Sequence, residues 1–147
     1  MTTDIRRAAG TRTFSDVLLS MVGLRRPSTE KDLADLRAGT TLQVACSSPT
    51  LGTVRMLPVG KGRTVAHTAS GYLHLTAGSV AWRNRRTGED VALRGPFGLS
   101  ASEQRTPHPK MARFDLVADG AQHVILIPKA DVPLVTQVLE AVGAAGR

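Results

Sequence analysis

The chain has 147 residues and a formal net charge of +7, with 19 Lys and Arg (mostly Arg) against 12 Asp and Glu. A chain of this length folds as one domain by default. Its single cysteine, Cys46, excludes an internal disulfide and hence a disulfide-stapled secreted scaffold, and its 3% aromatic content disfavours the stacked aromatic platforms of single-stranded nucleic-acid binders.

Residues 1–39 are predicted to form a basic tail and a short helical extension. Residues 1–13 are polar and poor in large apolar groups, so we expect a mobile tail. A first short helix follows, capped by Ser15 and bounded by Gly23 and Pro27. Its apolar run, Val17 to Leu24, is too short for a membrane span and lacks a signal-peptide cleavage pattern. We therefore expect a cytoplasmic protein, peripheral at the membrane if its partner is lipid.

A second short helix is predicted from Thr29 and Asp32, which precede apolar residues at helical spacing, and Gly39 is expected to close it. From residue 40 the pattern changes to short alternating runs typical of β-strands. The predicted strands are Thr41–Cys46, Gly52–Leu57, Arg63–Thr68, Tyr72–Thr76, Val80–Arg85, Asp90–Arg94 and Phe97–Ser100. The proline-bearing segment from Ala101 to Met111 is predicted to be an exposed loop.

The sequence predicts two hairpins. In the first, Val80 and Trp82 share one face and Arg83 and Arg85 the other, and Ala77-Gly78 is predicted to turn through a glycine with positive φ.

The second hairpin joins Arg113–Ala118 to Ala121–Ile127 through Asp119-Gly120, which sets Phe114 opposite Ile125. The core is predicted to contain Val80, Trp82, Phe114, Leu116, Ile125 and Leu139.

The chain closes with a predicted amphipathic helix. Asp131 is expected to cap it, Pro133 is tolerated in its first turn, and Gly143 is expected to end it. Its apolar stripe is Val135, Val138, Leu139 and Val142.

Three segments resemble bacterial PH-like and GRAM-like domains: Gly71-Tyr72-Leu73-His74-Leu75-Thr76, Val80-Ala81-Trp82, and Asp119-Gly120 with the helix that follows its hairpin. The resemblance covers about residues 40–143. It implies a mainly β fold, a PH-like bent antiparallel sheet or partly open barrel capped by one C-terminal helix, with residues 40–147 as the domain. Such domains are binding modules, and basic loop side chains in their phospholipid-binding members grip phosphorylated head groups.

No catalytic centre is recognisable. Gly60-Lys61-Gly62-Arg63 lacks the longer glycine-bounded arc and the hydroxyl residue of a nucleotide-binding loop. His67, His74 and Cys46 lack metal-ligand spacing. We therefore expect no enzymatic activity, no cofactor and no metal.

The basic residues carry the functional prediction. Arg83, Arg85 and Arg86 lie at one predicted turn and Lys61 and Arg63 at another, and the planar guanidinium suits contact with phosphate and carboxylate groups. The sequence predicts a non-enzymatic binding or adaptor module that docks onto an acidic protein surface or an anionic membrane.

Two further surfaces are hypotheses. Open sheet edges can accept an added strand, and the first helix supplies a protein contact through Leu18, Leu19 and Val22. The alternative function is nucleic-acid binding through Arg83, Arg85 and Arg86, with steep salt dependence.

Overall fold

Alternating apolar residues form a mainly β fold, and one helix follows the strands at the C-terminal end. The computed structural model describes residues 5–8, 29–102 and 109–145. The elements in chain order are β1 (Ile5–Arg7), α1 (Thr29–Arg37), β2 (Thr41–Ser48), β3 (Met56–Gly60), β4 (Arg63–Ala66), β5 (Ala69–Leu75), β6 (Val80–Asn84), β7 (Asp90–Leu93), β8 (Gly98–Ala101), β9 (Met111–Ala118), β10 (Ala121–Pro128) and α2 (Val132–Ala145).

Eight strands form one bent, unclosed sheet, in which seven are antiparallel in the order β7-β6-β5-β2-β10-β9-β8 and β1 pairs with β2. The strands β3 and β4 stand apart as a separate two-stranded sheet. The connection from β2 to β5 therefore leaves the main sheet, forms its own hairpin and returns. This excursion places the hairpin beside the main sheet.

The N-terminal strand β1 was not predicted. Ile5–Arg7 pairs in parallel with β2, and the Ala8 N–H donates to the Gln43 carbonyl oxygen at 2.8 Å while Ala8 is fully buried. The expectation of a mobile tail was therefore wrong for residues 5–8. The partner strand of β1 lies more than 30 residues further along the chain, so no local sequence pattern could indicate the pairing.

Helix α1 and its end agree with the prediction. The helix spans Thr29–Arg37, and Gly39 follows with φ of 101°, a conformation that favours glycine. The first predicted helix, with Leu18, Leu19 and Val22, lies outside the described residues, as does the loop segment 103–108.

The Asp119-Gly120 hairpin is confirmed in its turn and its register. Asp119 and Gly120 both have positive φ, 55° and 72°, as a two-residue type I′ loop requires. Phe114 lies opposite Ile125, as predicted.

The turn at Ala77-Gly78 differs from its prediction, because Gly78 does not adopt positive φ. The loop between β5 and β6 is four residues long, since Leu75 pairs with Val80. The Thr76 hydroxyl oxygen holds it by accepting the Ser79 N–H at 2.9 Å.

The second predicted strand lies at different bounds in the structure. The strand expected over Gly52–Leu57 begins only at Met56 and runs to Gly60. Gly52 has φ of 71°, outside the extended region of a strand, and the chain stays irregular until Arg55.

The core contains the predicted residues. Trp82 is fully buried, and Val80, Leu116, Ile125 and Leu139 are buried with it, while Phe114 is partly buried against the same cluster. The Trp82 ring passes over Gly71, where an added Cβ would lie 2.6 Å from the ring. Glycine at position 71 is therefore what lets the indole enter the core.

Helix α2 covers the sheet with its apolar stripe. Leu134, Val135, Val138 and Leu139 are buried. The prediction that Gly143 ends the helix was wrong, because the helix continues to Ala145. A 3-10 turn, Lys129–Asp131, leads into it, and the capping role of Asp131 stays a prediction. In the part of the chain that the structure describes, no helix combines the length and apolar character needed to cross a membrane.

Candidate functional site

The base of the β3–β4 hairpin and the turn between β6 and β7 meet at one groove. At the hairpin base, the His67 N–H donates to the Arg55 carbonyl oxygen at 2.7 Å. At the turn, the Arg85 N–H donates to the Ser70 carbonyl oxygen at 3.0 Å, which ties the turn to the start of β5. The groove between them has a volume of about 980 Å³ and is lined by Thr53, Val54, Arg55, His67, Ala69, Ser70, Asn84, Arg85, Arg86, Thr87 and Glu89.

The β6–β7 turn is fixed by its own hydrogen bonds. The Asn84 side-chain oxygen accepts the N–H groups of Arg86 at 2.8 Å and Thr87 at 3.0 Å, and the Asn84 carbonyl oxygen accepts the Gly88 N–H at 2.9 Å. Asparagine commonly organises turns in this way. The backbone of Arg86 is thus held while its side chain stays exposed.

The groove is basic. Arg55, Arg85 and Arg86 line it, and none of the three forms an ion pair with a described carboxylate. Glu89 is the only acidic residue among its described lining residues. The three guanidinium groups therefore give the groove a net positive charge.

The carboxylate of Glu89 is committed to the loop before β3. It accepts the Thr53 N–H at 2.7 Å and the Thr53 hydroxyl at 2.6 Å. These two hydrogen bonds, the hydroxyl first, lower the pKa of Glu89. Because a Cβ at Gly52 would collide with this carboxylate, the glycine permits the contact. Glu89 therefore connects the β6–β7 turn to the loop before β3.

A second cavity of about 600 Å³ adjoins the groove. Ser70 and Arg85 line both, so Arg85 lies at their boundary. Lys110 and Lys129 line the second cavity, and the Lys129 N–H donates to the Lys110 carbonyl oxygen at 2.9 Å. None of its described lining residues is acidic. The basic surface thus continues from Arg86 past Arg85 to the two lysines.

The structure divides the predicted basic cluster. Arg85 and Arg86 line the groove, whereas Arg83 lines neither cavity. The Arg83 Nε lies 3.7 Å from the Asp90 carboxylate, and the two side chains are 51% and 63% exposed. Such an exposed pair contributes little to stability. Arg83 lies on the face of β6 opposite the buried Trp82.

Lys61 and Arg63 lie at the tip of the β3–β4 hairpin and do not line the groove. Gly60 pairs with Arg63, so Lys61 and Gly62 form a two-residue loop, with φ of 39° and 75°. This is the positive-φ pattern of a type I′ turn. The loop holds the lysine at the outermost end of the hairpin.

Cys46 and His74 are not brought together. Cys46 is buried in the core, where burial raises the pKa of its thiol. His74 lies on the opposite face of the sheet, since its strand neighbours Leu73 and Leu75 point into the core. Burial first, and then Arg83, lowers the pKa of His74, whose Nε2 lies 3.3 Å from the Gln43 amide nitrogen. Within residues 5–8, 29–102 and 109–145, no three His, Cys, Asp or Glu side chains could hold a metal ion together.

Four residues that line the groove or the second cavity were not assigned to this surface from the sequence: Arg55, His67, Lys110 and Lys129. His67 was considered only as a metal ligand. Arg55 and His67 become neighbours because the hairpin folds back at Lys61-Gly62. Arg55 and His67 lie at similar distances in sequence from this loop, and that spacing could have predicted that they are neighbours. Lys110 and Lys129 meet through the pairing of β9 with β10, which the Asp119-Gly120 register implies.

Comparisons with protein-family models, with curated proteins and with solved structures found no match to this chain.

Proposed function

We propose that the chain is a non-enzymatic binding module that docks onto an anionic partner through the groove around Arg85. The observation that carries the proposal is the convergence of Arg55, Arg85 and Arg86 on one concave surface. Among its described lining residues the one carboxylate, that of Glu89, is hydrogen-bonded to Thr53. Arginines that form no ion pair with a described carboxylate attract anions to a groove and can bind them through two parallel N–H donors each.

The fixed backbone around the groove supports a binding role. The Arg85 N–H is hydrogen-bonded to Ser70 and the Arg86 N–H to Asn84, so the backbone of both arginines is fixed while their side chains are exposed. Less ordering is then needed when a ligand binds, which raises affinity. We also propose that the chain is a PH-like domain, since a bent, unclosed antiparallel sheet with one C-terminal helix is the architecture that the sequence resemblance implies. Basic loops bind phosphorylated head groups in some of those domains.

The test compares two charge-reversal variants of the full chain. R85E/R86E removes two groove arginines, whereas R37E/R94E makes the same change in net charge at two exposed arginines that do not line the groove. Inorganic tripolyphosphate serves as the soluble anionic probe in isothermal titration calorimetry. We expect R85E/R86E to weaken binding by tenfold or more, and R37E/R94E by far less, since adjacent charges act more strongly than distant screened ones.

Equal losses in the two variants, or no binding by the native chain, would overturn the proposal. A mobility assay with duplex DNA and with RNA runs beside it. Tight binding of nucleic acid at physiological ionic strength, lost in R85E/R86E, would establish the alternative function instead.

A further inference from the structure

The β3–β4 hairpin exposes an unusual amount of apolar surface. Six large hydrophobic side chains are exposed in the described part of the chain, and four of them lie between residues 54 and 65. These four are Val54, Met56, Val59 and Val65, with exposed fractions of 44%, 53%, 58% and 48%. From Thr53 to Thr68, only Leu57 and Ala66 are even half-buried. Contiguous apolar exposure of this kind marks an interaction site.

The hairpin exposes apolar side chains on both of its faces. Leu57 pairs with Val65, and the next pair along, Met56 with Ala66, lies on the opposite face. The hairpin is also a separate two-stranded sheet, and an isolated pair of strands is marginally stable in water. A medium that surrounds the hairpin would bury both faces, whereas a flat protein surface would cover one.

The charged residues of the hairpin indicate which surroundings would bury it. Residues 53–68 contain Arg55, Lys61 and Arg63 and no Asp or Glu. A second copy of the chain would bring the same positive charge to the contact, which disfavours self-association through this element. Lys and Arg can keep their charged ends at a polar boundary while their apolar stems and neighbouring side chains lie below it. Apolar insertion and anion attraction are satisfied together at the surface of an anionic bilayer.

We propose that the β3–β4 hairpin inserts its apolar side chains among the head groups of an anionic membrane. The inference deepens the proposed function and rests on it, because the Arg85 groove at the hairpin base would hold the chain against the same anionic surface. Arg55 lines the groove and directly precedes β3 of the hairpin. Insertion then adds burial of apolar surface to an electrostatic contact.

The first arm of the test measures vesicle binding by flotation. Vesicles contain phosphatidylcholine alone or phosphatidylcholine mixed with phosphatidylglycerol. V59S/V65S makes the hairpin less apolar without changing its charge, and V117S makes the same type of change at a 40% exposed valine on β9. We expect V59S/V65S to reduce binding to the anionic vesicles about tenfold, and V117S to leave it unchanged.

The second arm locates the hairpin relative to the bilayer. Cys46 is buried and its thiol pKa is raised, so a cysteine introduced by V59C can be labelled selectively with an environment-sensitive dye. We expect the dye emission to shift to the blue when anionic vesicles are added. The same dye on V117C should not shift.

The outcomes separate the two proposals. Tripolyphosphate binding by the native chain without vesicle binding would overturn membrane insertion and leave the groove proposal standing. Vesicle binding with an unshifted dye at position 59 would also overturn insertion, since the chain would then lie on the surface through charge alone. If the native chain bound neither tripolyphosphate nor vesicles, the groove proposal and the insertion proposal would both be overturned. A hairpin that instead captures an acidic protein strand would bind neither kind of vesicle.

Discussion

Asp119 and Arg94 join two distant parts of the bent sheet through a reciprocal pair of hydrogen bonds. The Asp119 N–H donates to the Arg94 carbonyl oxygen at 2.8 Å, and the Arg94 N–H donates to the Asp119 carboxylate at 3.2 Å. Arg94 directly follows the edge strand β7, whereas Asp119 is in the turn between β9 and β10. The contact therefore connects the end of the edge strand β7 to the turn of the β9–β10 hairpin.

Replacing Asp119 tests this contact. D119A removes the side-chain acceptor and places alanine at φ of 55°, so we expect the free energy of unfolding to fall by about 1–2 kcal/mol. D119N keeps a side-chain oxygen and tolerates positive φ, so its loss should be under about half of that. Urea unfolding of both variants gives the comparison. Equal losses in the two variants would contradict this expectation, since the oxygen and the tolerance of positive φ that asparagine keeps would then make no difference.

Gly71 and Gly78 form a matched pair for testing the packing of Trp82. An added Cβ at Gly71 would meet the indole ring and the Arg83 carbonyl oxygen, whereas one at Gly78 has no atom within 4 Å. We expect G71A to lower the free energy of unfolding by about 1–3 kcal/mol, and G78A to leave it unchanged or raise it slightly. A G71A protein as stable as the native one would place the indole elsewhere.

Trp82 itself is the largest fully buried side chain. W82A should cost about 3–5 kcal/mol of unfolding free energy, measured by circular dichroism in urea. A loss below about 1 kcal/mol is incompatible with a buried indole.

His74 makes stability depend on pH. Its folded pKa lies below the ordinary value of 6.5, so the unfolded chain binds the proton more readily than the folded chain. The stabilising contribution is present above about pH 6.5 and is lost as the pH falls through the folded pKa. Protonation would also remove the Nε2 acceptor that faces the Gln43 amide. We expect H74Q to be less sensitive than the native chain to a change from pH 7.5 to pH 5, read from urea midpoints; an unchanged sensitivity would contradict the shift.

Short-range signals predicted much of the fold. The Asp119-Gly120 loop fixes its own strand register, because a two-residue turn determines which residues face each other. The apolar stripe of α2 follows from helical periodicity. In contrast, β1 pairs across more than 30 residues, and β3 follows a segment in which Gly52 has positive φ and Thr53 is hydrogen-bonded to Glu89. Such long-range determinants leave no periodic trace.

The candidate site was predicted in part for the same reason. Arg85 and Arg86 are adjacent to a turn that the sequence indicates, and both line the groove. Arg83 faces Asp90 because alternate residues of β6 point to opposite sides of the sheet, and register alone decides its partner. The exposed apolar hairpin could not be predicted, since Val, Met and Leu at alternating positions ordinarily indicate a buried strand face.

The most direct measurement of the central claim is flotation of the native chain with anionic and with purely zwitterionic vesicles at low and at physiological ionic strength. We expect the native chain to bind the anionic vesicles only, and more weakly at the higher ionic strength. Binding should be lost in R85E/R86E and retained in R37E/R94E. Equal binding to both kinds of vesicle, or full binding by R85E/R86E, would contradict the central claim.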